Sequence, residues 1–112
     1  EEYFRDLETK YLKELSERQG IIISTGGGAV KRKENIDILK KNGIVIFLDR
    51  TIEDISRENH ENRPLLQNIE NLWKLYDERI KLYRKYADII IKNDDDMDVV
   101  TDRIITALKG KL

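Results

Sequence analysis

Apolar residues along the chain recur at steps of three and four in some stretches and run without interruption in others. Phe4, Leu7, Tyr11, Leu12 and Leu15 form one stripe at helical spacing, which predicts an opening helix with a single buried face. Gly20 follows where that helix should stop, a place for positive φ. Residues 21–25 read Ile-Ile-Ile-Ser-Thr, a short run that is apolar on both faces. That is the mark of a strand buried on two sides in a parallel sheet. It runs straight into Gly26, Gly27 and Gly28. Residues 33–41 form a second helix that buries Ile36 and Leu39, with Gly43 as its terminator. Residues 44–48 are a second two-sided strand, closed by Asp49 and Arg50. Thr51 with Asp54 three residues on is a capping box that opens a short helix.

From residue 57 to 68 the character changes to a polar loop, in which Pro64 forbids a helix. A polar loop of about this length inside a compact domain is usually functional or mobile. Ile69, Leu72, Trp73, Tyr76, Ile80 and Tyr83 then mark a long amphipathic helix that ends near Tyr86, with Trp73 and Tyr76 at core spacing. Residues 89–91 are a third buried strand and residues 93–96 an acidic turn. Val99, Val100, Ile104, Ile105 and Leu108 stripe a last helix before Gly110. Alternating helices and buried strands imply parallel strands joined by right-handed crossovers. Ligands in such sheets gather beyond the carboxyl ends of the strands. Three segments fall there: residues 25–28, Asp49 and Arg50 with the polar loop, and residues 93–96.

Length and charge narrow the picture further. The chain has 112 residues, one domain's worth, with 21 basic and 22 acidic side chains and a net charge of −1. Near-neutrality removes the electrostatic case for a nucleic-acid or anionic-membrane partner. No apolar run approaches the roughly 18 residues that a spanning helix needs. With no cysteine and a single histidine, His60, thiol chemistry and cysteine- or histidine-rich metal sites are excluded. The expectation is a soluble, cytoplasmic α/β domain. The only methionine is Met97, and the chain opens inside a helical pattern, so its N-terminus reads as cut.

Candidate chemistry is sparse. Three successive glycines after a strand let main-chain N–H groups approach a ligand oxygen, although a tight turn would also use glycine. The phosphate loop G-x-x-x-x-G-K-[ST] occurs nowhere in the 112 residues. Arg5 and Glu8 are three apart on the first helix, and on spacing alone they read as a surface ion pair. Arg63 precedes Pro64 in the polar loop. It is either a solvated arginine or one that swings over a phosphate as the loop closes. Arg79 sits in a charged helix face, and His60 reads as an exposed loop residue.

Taken in order, these pieces resemble the C-terminal two-thirds of a shikimate kinase. The carriers are Phe4-Arg5-x-x-Glu8, the stretch from Ile23 through Ser24, Thr25, Gly26, Gly27 and Gly28 to Val30, Arg63-Pro64-Leu65-Leu66, and Arg79-x-x-Leu82-Tyr83 followed by Ala87-Asp88. They stand in the family's order and at its spacing over nearly the whole chain. The resemblance implies a P-loop-kinase-like parallel sheet with flanking helices. Three strands would be present, and the central strand and one edge strand would be missing. It implies transfer of the γ-phosphoryl group of Mg-ATP to the 3-hydroxyl of shikimate, on the route to chorismate and the aromatic amino acids. It further implies that Arg5 and Arg79 clamp the shikimate carboxylate and that Glu8 orients Arg5. The backbone of Gly27, flanked by Gly26 and Gly28, would meet the substrate. Arg63, in a lid over residues 57–68, would reach the ATP phosphates, Arg57 matches a second lid arginine, and Ser24 lies near the hydration shell of Mg2+.

Two positions depart from the family's pattern. Lys81 stands where many relatives carry proline, and Asp94, Asp95 and Asp96 replace an arginine-bearing loop over the adenine. The phosphate loop and the aspartates that hold and activate the hydroxyl have no counterpart here. The isolated chain is therefore expected to bind no nucleotide usefully and to be inactive. The alternative is a non-catalytic scaffold or weak shikimate-binding fragment that self-associates through exposed strands.

Overall fold

A computed structural model describes residues 1–51, Asp54 and residues 66–111, without the side chains of 66–69. The described residues gather into two compact units, Glu1–Val45 and Ile46–Leu112.

In the first unit, helix α1 (Glu2–Ser16) packs against helix α2 (Lys33–Asn42), and a short 3-10 turn (Gly27–Lys31) lies against both. The buried apolar side chains are Leu12, Ala29, Val30 and Ile36. Asn42 donates to the Ser16 carbonyl at 3.2 Å, which satisfies an orphan acceptor at the end of α1. Gly20 adopts φ 70°, the left-handed conformation its position suggested. The α1 stripe is turned from the one expected: Phe4 and Tyr11 are 56% and 54% exposed, while Thr9 and Leu12 are buried. Arg5 and Glu8 are partly buried on that same side. The helix turns a partly polar face inward because its hydrogen-bond partners lie there.

Residues 21–24 form no strand, and Ile22 is 98% exposed. This corrects the expectation of a buried strand. An apolar run becomes a strand only where a neighbour completes its backbone hydrogen bonds, and no ladder partner for it occurs among the described residues.

The second unit holds a β-α-β arrangement. Strand β1 (Ile46–Asp49) pairs in parallel with strand β2 (Ile89–Lys92), in the register Ile46 to Ile89 through Asp49 to Lys92. The pairing continues past the ladder, where Asn93 N–H donates to the Asp49 carbonyl at 2.8 Å. Helix α3 (Leu66–Tyr86) connects the strands, and helix α4 (Met97–Leu108) follows β2. Tyr83 of α3 rests on Phe47 of β1, with ring centroids 5.0 Å apart. α4 packs on β2, and Ile91 and Val100 are buried. Phe47 and Ile91 point to opposite faces by the pleat of the paired strands, so the two helices take opposite sides of the sheet.

Burial of this sheet is less complete than two-sided strands imply, since Leu48 and Ile90 are 45% and 47% exposed. Trp73 is also exposed, at 43%, against the core position expected for it. It lies about 100° around the helix from Leu72, off the stripe that carries Leu72, Tyr76, Ile80 and Tyr83 inward. At the end of β1, Thr51 Oγ1 accepts the Asp54 N–H at 3.1 Å, the capping bond that the spacing indicates. Among the described residues no helix is long and apolar enough to cross a membrane.

The small core of the first unit makes each of its members count. Ile36→Ala should lower stability by about 2–5 kcal/mol. Urea unfolding followed by circular dichroism measures this directly, and a midpoint equal to that of the parent chain would contradict it.

Candidate functional site

The glycine turn and helix α1 meet in the first unit. Arg5 Nη1 donates to Glu8 Oε1 at 2.7 Å, a short charge-assisted bond, and Arg5 Nε donates to Glu1 Oε1 at 3.1 Å. The Arg5 and Glu8 side chains are only 13% and 12% exposed, so the surface ion pair suggested by spacing is in fact mostly enclosed. The guanidinium carbon also lies 4.9 Å from the centre of the Phe4 ring, within cation–π range. The hydrogen bonds that Arg5 donates to Glu1 and then to Glu8 hold its pKa above the ordinary value. The same bond from Arg5 holds the Glu1 carboxyl below its own.

The other side of this guanidinium is the glycine turn. A Cβ on Gly28 would stand 2.5 to 2.7 Å from Arg5 Nη2, Nη1 and Cζ, whereas one on Gly26 would meet Glu8 Oε2 at an ordinary 3.7 Å. None of Gly26, Gly27 and Gly28 has positive φ. Space, and not backbone conformation, is what Gly28 supplies. A positive-φ turn, one of the two roles open to these glycines in sequence, is therefore absent.

A polar network backs this contact. Thr9 Oγ1 donates to Asn35 Oδ1 at 2.7 Å, and Asn35 Nδ2 donates to the Ala29 carbonyl at 2.9 Å. Arg32 donates to Thr9 Oγ1 at 3.3 Å and reaches Glu2 and Asp6 at 3.1 and 2.9 Å. Its pKa is raised, first by the hydrogen bond to Asp6. Thr9, Arg32 and Asn35 were missed in the sequence. The available signal was a threonine one helical turn after Arg5, and an asparagine beside the core residue Ile36.

The remaining candidates are distributed as follows. Ser24 is exposed in the irregular segment before the glycines. Arg79 is half-buried on α3, and its Nε is a buried donor without a hydrogen-bond partner. An orphaned buried guanidinium N–H is costly and marks a place for an acceptor. Arg57 and Arg63, with the rest of the loop at 57–65, lie outside the described residues. Among the described residues no three His, Cys, Asp or Glu side chains are grouped to hold a metal ion. Ser24 alone does not make a Mg2+ site.

Beyond the carboxyl ends of β1 and β2 lies a groove of about 620 Å³, lined by Leu48, Arg50, Asp54, Asn93, Asp94 and Met97 among others. This is where open parallel sheets take ligands. Its acidic turn is braced by Arg103 of α4, which contacts Asp94 at 2.6 Å, Asp95 at 3.8 Å and the Lys92 carbonyl at 2.8 Å. The hydrogen bond from Arg103 holds the Asp94 carboxyl below the usual aspartate range. The brace is therefore complete above that range and is lost as pH falls through the lowered value.

The model of the shikimate kinase family matches residues 1–109. The chain belongs to the shikimate kinase family. It is 47% identical over 106 residues to the shikimate kinase of Clostridium beijerinckii, covering 93% of this chain and 63% of that one. It is 44% identical over 116 residues to shikimate kinase 1 of Erwinia tasmaniensis, covering 97% and 67% respectively. Among solved structures, a shikimate kinase from Acinetobacter baumannii in complex with shikimate has a TM-score of 0.79 at 34% identity, over 97% of this chain and 65% of that one. The shikimate kinase of Aquifex aeolicus has a TM-score of 0.75 at 37% identity, over 99% and 65%. The chain thus spans 63% of the length of the Clostridium beijerinckii relative. The α/β fold class expected for this family holds.

Gly28 and Gly26 can be separated by experiment. The atoms that a Cβ at 28 would strike are the far end of a flexible side chain, so Gly28→Ala should shift the melting free energy by no more than about 1 kcal/mol. It should nevertheless expel Arg5 from its place beside Glu8, visible as a displaced Arg5 Nε–H resonance. Gly26→Ala should leave that resonance where it is. An unmoved signal in Gly28→Ala would contradict the contact.

Proposed function

We propose that the chain is part of an ATP-dependent shikimate kinase, which moves the γ-phosphoryl group of ATP to the 3-hydroxyl of shikimate. The observation that carries this reading is the Arg5 guanidinium, held by Glu8 and laid against Gly28, in a chain of that family. A guanidinium fixed along one edge still offers forked donors to a planar carboxylate. A phosphoryl-transfer enzyme works chiefly by positioning and by offsetting charge, and a fixed arginine suits the first task.

The proposed substrate residues are Arg5, Glu8, Gly26, Gly27 and Gly28 in the first unit and Arg79 in the second. Glu8 orients Arg5, and the Gly27 main chain approaches the substrate. The unpartnered Arg79 Nε supports its role as a donor waiting for an anion. Arg63 and Arg57 are proposed to act on the nucleotide phosphates as part of a lid that ends at residue 65, because residues 66–68, expected as loop, are the first turn of α3, and Ser24 is proposed to stand near hydrated Mg2+. ATP and Mg2+ are assigned to the whole protein. The 112 residues themselves contain no phosphate loop, so in isolation they are proposed to leave shikimate unphosphorylated.

Titration of the isotopically labelled chain with shikimate tests the substrate assignment. Millimolar binding, worth about −4 kcal/mol, should shift signals of Gly27 and Arg79, and Arg79→Ala should abolish it. No shift at either residue would sink the assignment.

A second reading has one observation of its own. Ile22, almost fully exposed beside unpaired backbone, favours a non-catalytic fragment that pairs with a second copy through residues 21–24. Analytical ultracentrifugation should then find dimers or larger species that Ile22→Lys converts to monomers. A monomeric parent chain would exclude this reading.

A further inference from the structure

Asn35 has the only side chain that is wholly buried among the described residues, at 0% exposure. A buried amide is costly unless every polar atom finds a partner. Here both ends do. Asn35 Nδ2 donates to the Ala29 carbonyl at 2.9 Å, which fixes the other atom as oxygen, and that oxygen accepts the Thr9 hydroxyl at 2.7 Å. The hydroxyl has one proton to give. Asn35 takes it at the shorter distance, the Arg5 carbonyl lying at 3.1 Å, and the hydroxyl oxygen in turn accepts from Arg32 at 3.3 Å. A directed series of bonds therefore runs from Arg32 through Thr9 and Asn35 to Ala29.

Two members of this series, Thr9 and Ala29, flank the arginine proposed to meet the substrate. Thr9 is one helical turn beyond Arg5 on α1, and Ala29 follows Gly28 in the turn. Between them lies a gap so narrow that a Cβ on Gly28 would overlap the guanidinium. An apolar residue at 35 would fill the same volume beside Ile36, but it could not tie the helix to the turn.

We propose that Asn35, acting through Thr9 and the Ala29 carbonyl, is a positioning residue that sets the gap in which Arg5 meets the substrate. The proposal rests on the reading of Arg5 as a ligand of the shikimate carboxylate. A small error in that gap displaces the guanidinium from a planar anion it must meet with two donors at once. Misplacement on this scale costs rate without loss of fold.

Steady-state kinetics of the complete protein, with shikimate and Mg-ATP varied in turn, provides the test. Thr9→Val keeps the shape and removes the hydroxyl. It should raise the shikimate KM about tenfold while the KM for Mg-ATP stays within about twofold. Thr9→Ser restores the hydroxyl and should restore the shikimate KM. Asn35→Asp, which keeps the acceptor and loses the donor to Ala29, should resemble Thr9→Val. If Arg5→Ala raises the shikimate KM and Thr9→Val does not, the positioning role is overturned while the substrate reading stands. If Thr9→Val raises both KM values together, the network is merely structural and the proposal is again overturned. Should shikimate have no effect on the parent protein, the substrate reading falls. The Arg5 Nε–H resonance then decides the remainder. A signal that moves in Thr9→Val and returns in Thr9→Ser supports the positioning role, and one that stays fixed in both refutes it.

Discussion

The approach of the Arg5 guanidinium to Gly28 leaves no volume for a side chain at that glycine, and the first unit is arranged around this contact. Glu8 holds the cation from its own helix, one turn away, at a distance typical of charge-assisted bonds. The turn that carries Gly28 is tied to α2 through Asn35, and α2 is tied to α1 through Thr9. Remove the glycine's open space and the other bonds have nothing to align.

That arrangement has a consequence for the helix bearing it. α1 presents Arg5, Glu8, Thr9 and Leu12 inward, and leaves Phe4 and Tyr11 largely in solvent. A helix that served stability alone would bury its aromatic residues, at about 25 cal/mol for each Å² of apolar surface removed from water. The observed rotation gives up part of that gain for a set of satisfied polar contacts. The second unit follows a plainer logic: parallel pairing, one helix on each face, and an arginine that braces the turn after β2.

Much of the architecture was legible in the sequence because periodicity reports local structure. α2, α4, the end of α3 at Tyr86 and the Thr51 cap lie where the pattern puts them, the two parallel strands fall at 46–49 and 89–92 against 44–48 and 89–91, and α3 starts earlier than expected, at Leu66. The failures share a cause. The stretch of Ile21, Ile22 and Ile23 is as apolar as either true strand, yet a strand is a relation between two segments and the pattern of one cannot reveal its partner. The aromatic residues of α1 went astray because apolar character was weighed above hydrogen-bond demand, and Trp73 because it lies off the stripe that faces inward on α3. For the candidate site, the four glycine-turn and helix residues, Arg5, Glu8, Gly26 and Gly28, could be picked out by motif. Asn35 could not, since an asparagine in a polar helix announces nothing until its neighbours in space are known.

Mutual exclusion between positions 5 and 28 also shapes how such a chain can change over generations. While a guanidinium occupies that volume, every side chain at 28 competes with it, so the glycine is kept only by what the arginine does. Neither Gly26 nor Gly28 has positive φ, and a Cβ on Gly26 would make only an ordinary contact, so backbone conformation exerts no separate hold on these two. A lineage that ceased to use the arginine would therefore be free to drift at both places. Paired loss at 5 and 28, with the helices unchanged, would be the mark of a relative that had kept the scaffold and abandoned its task.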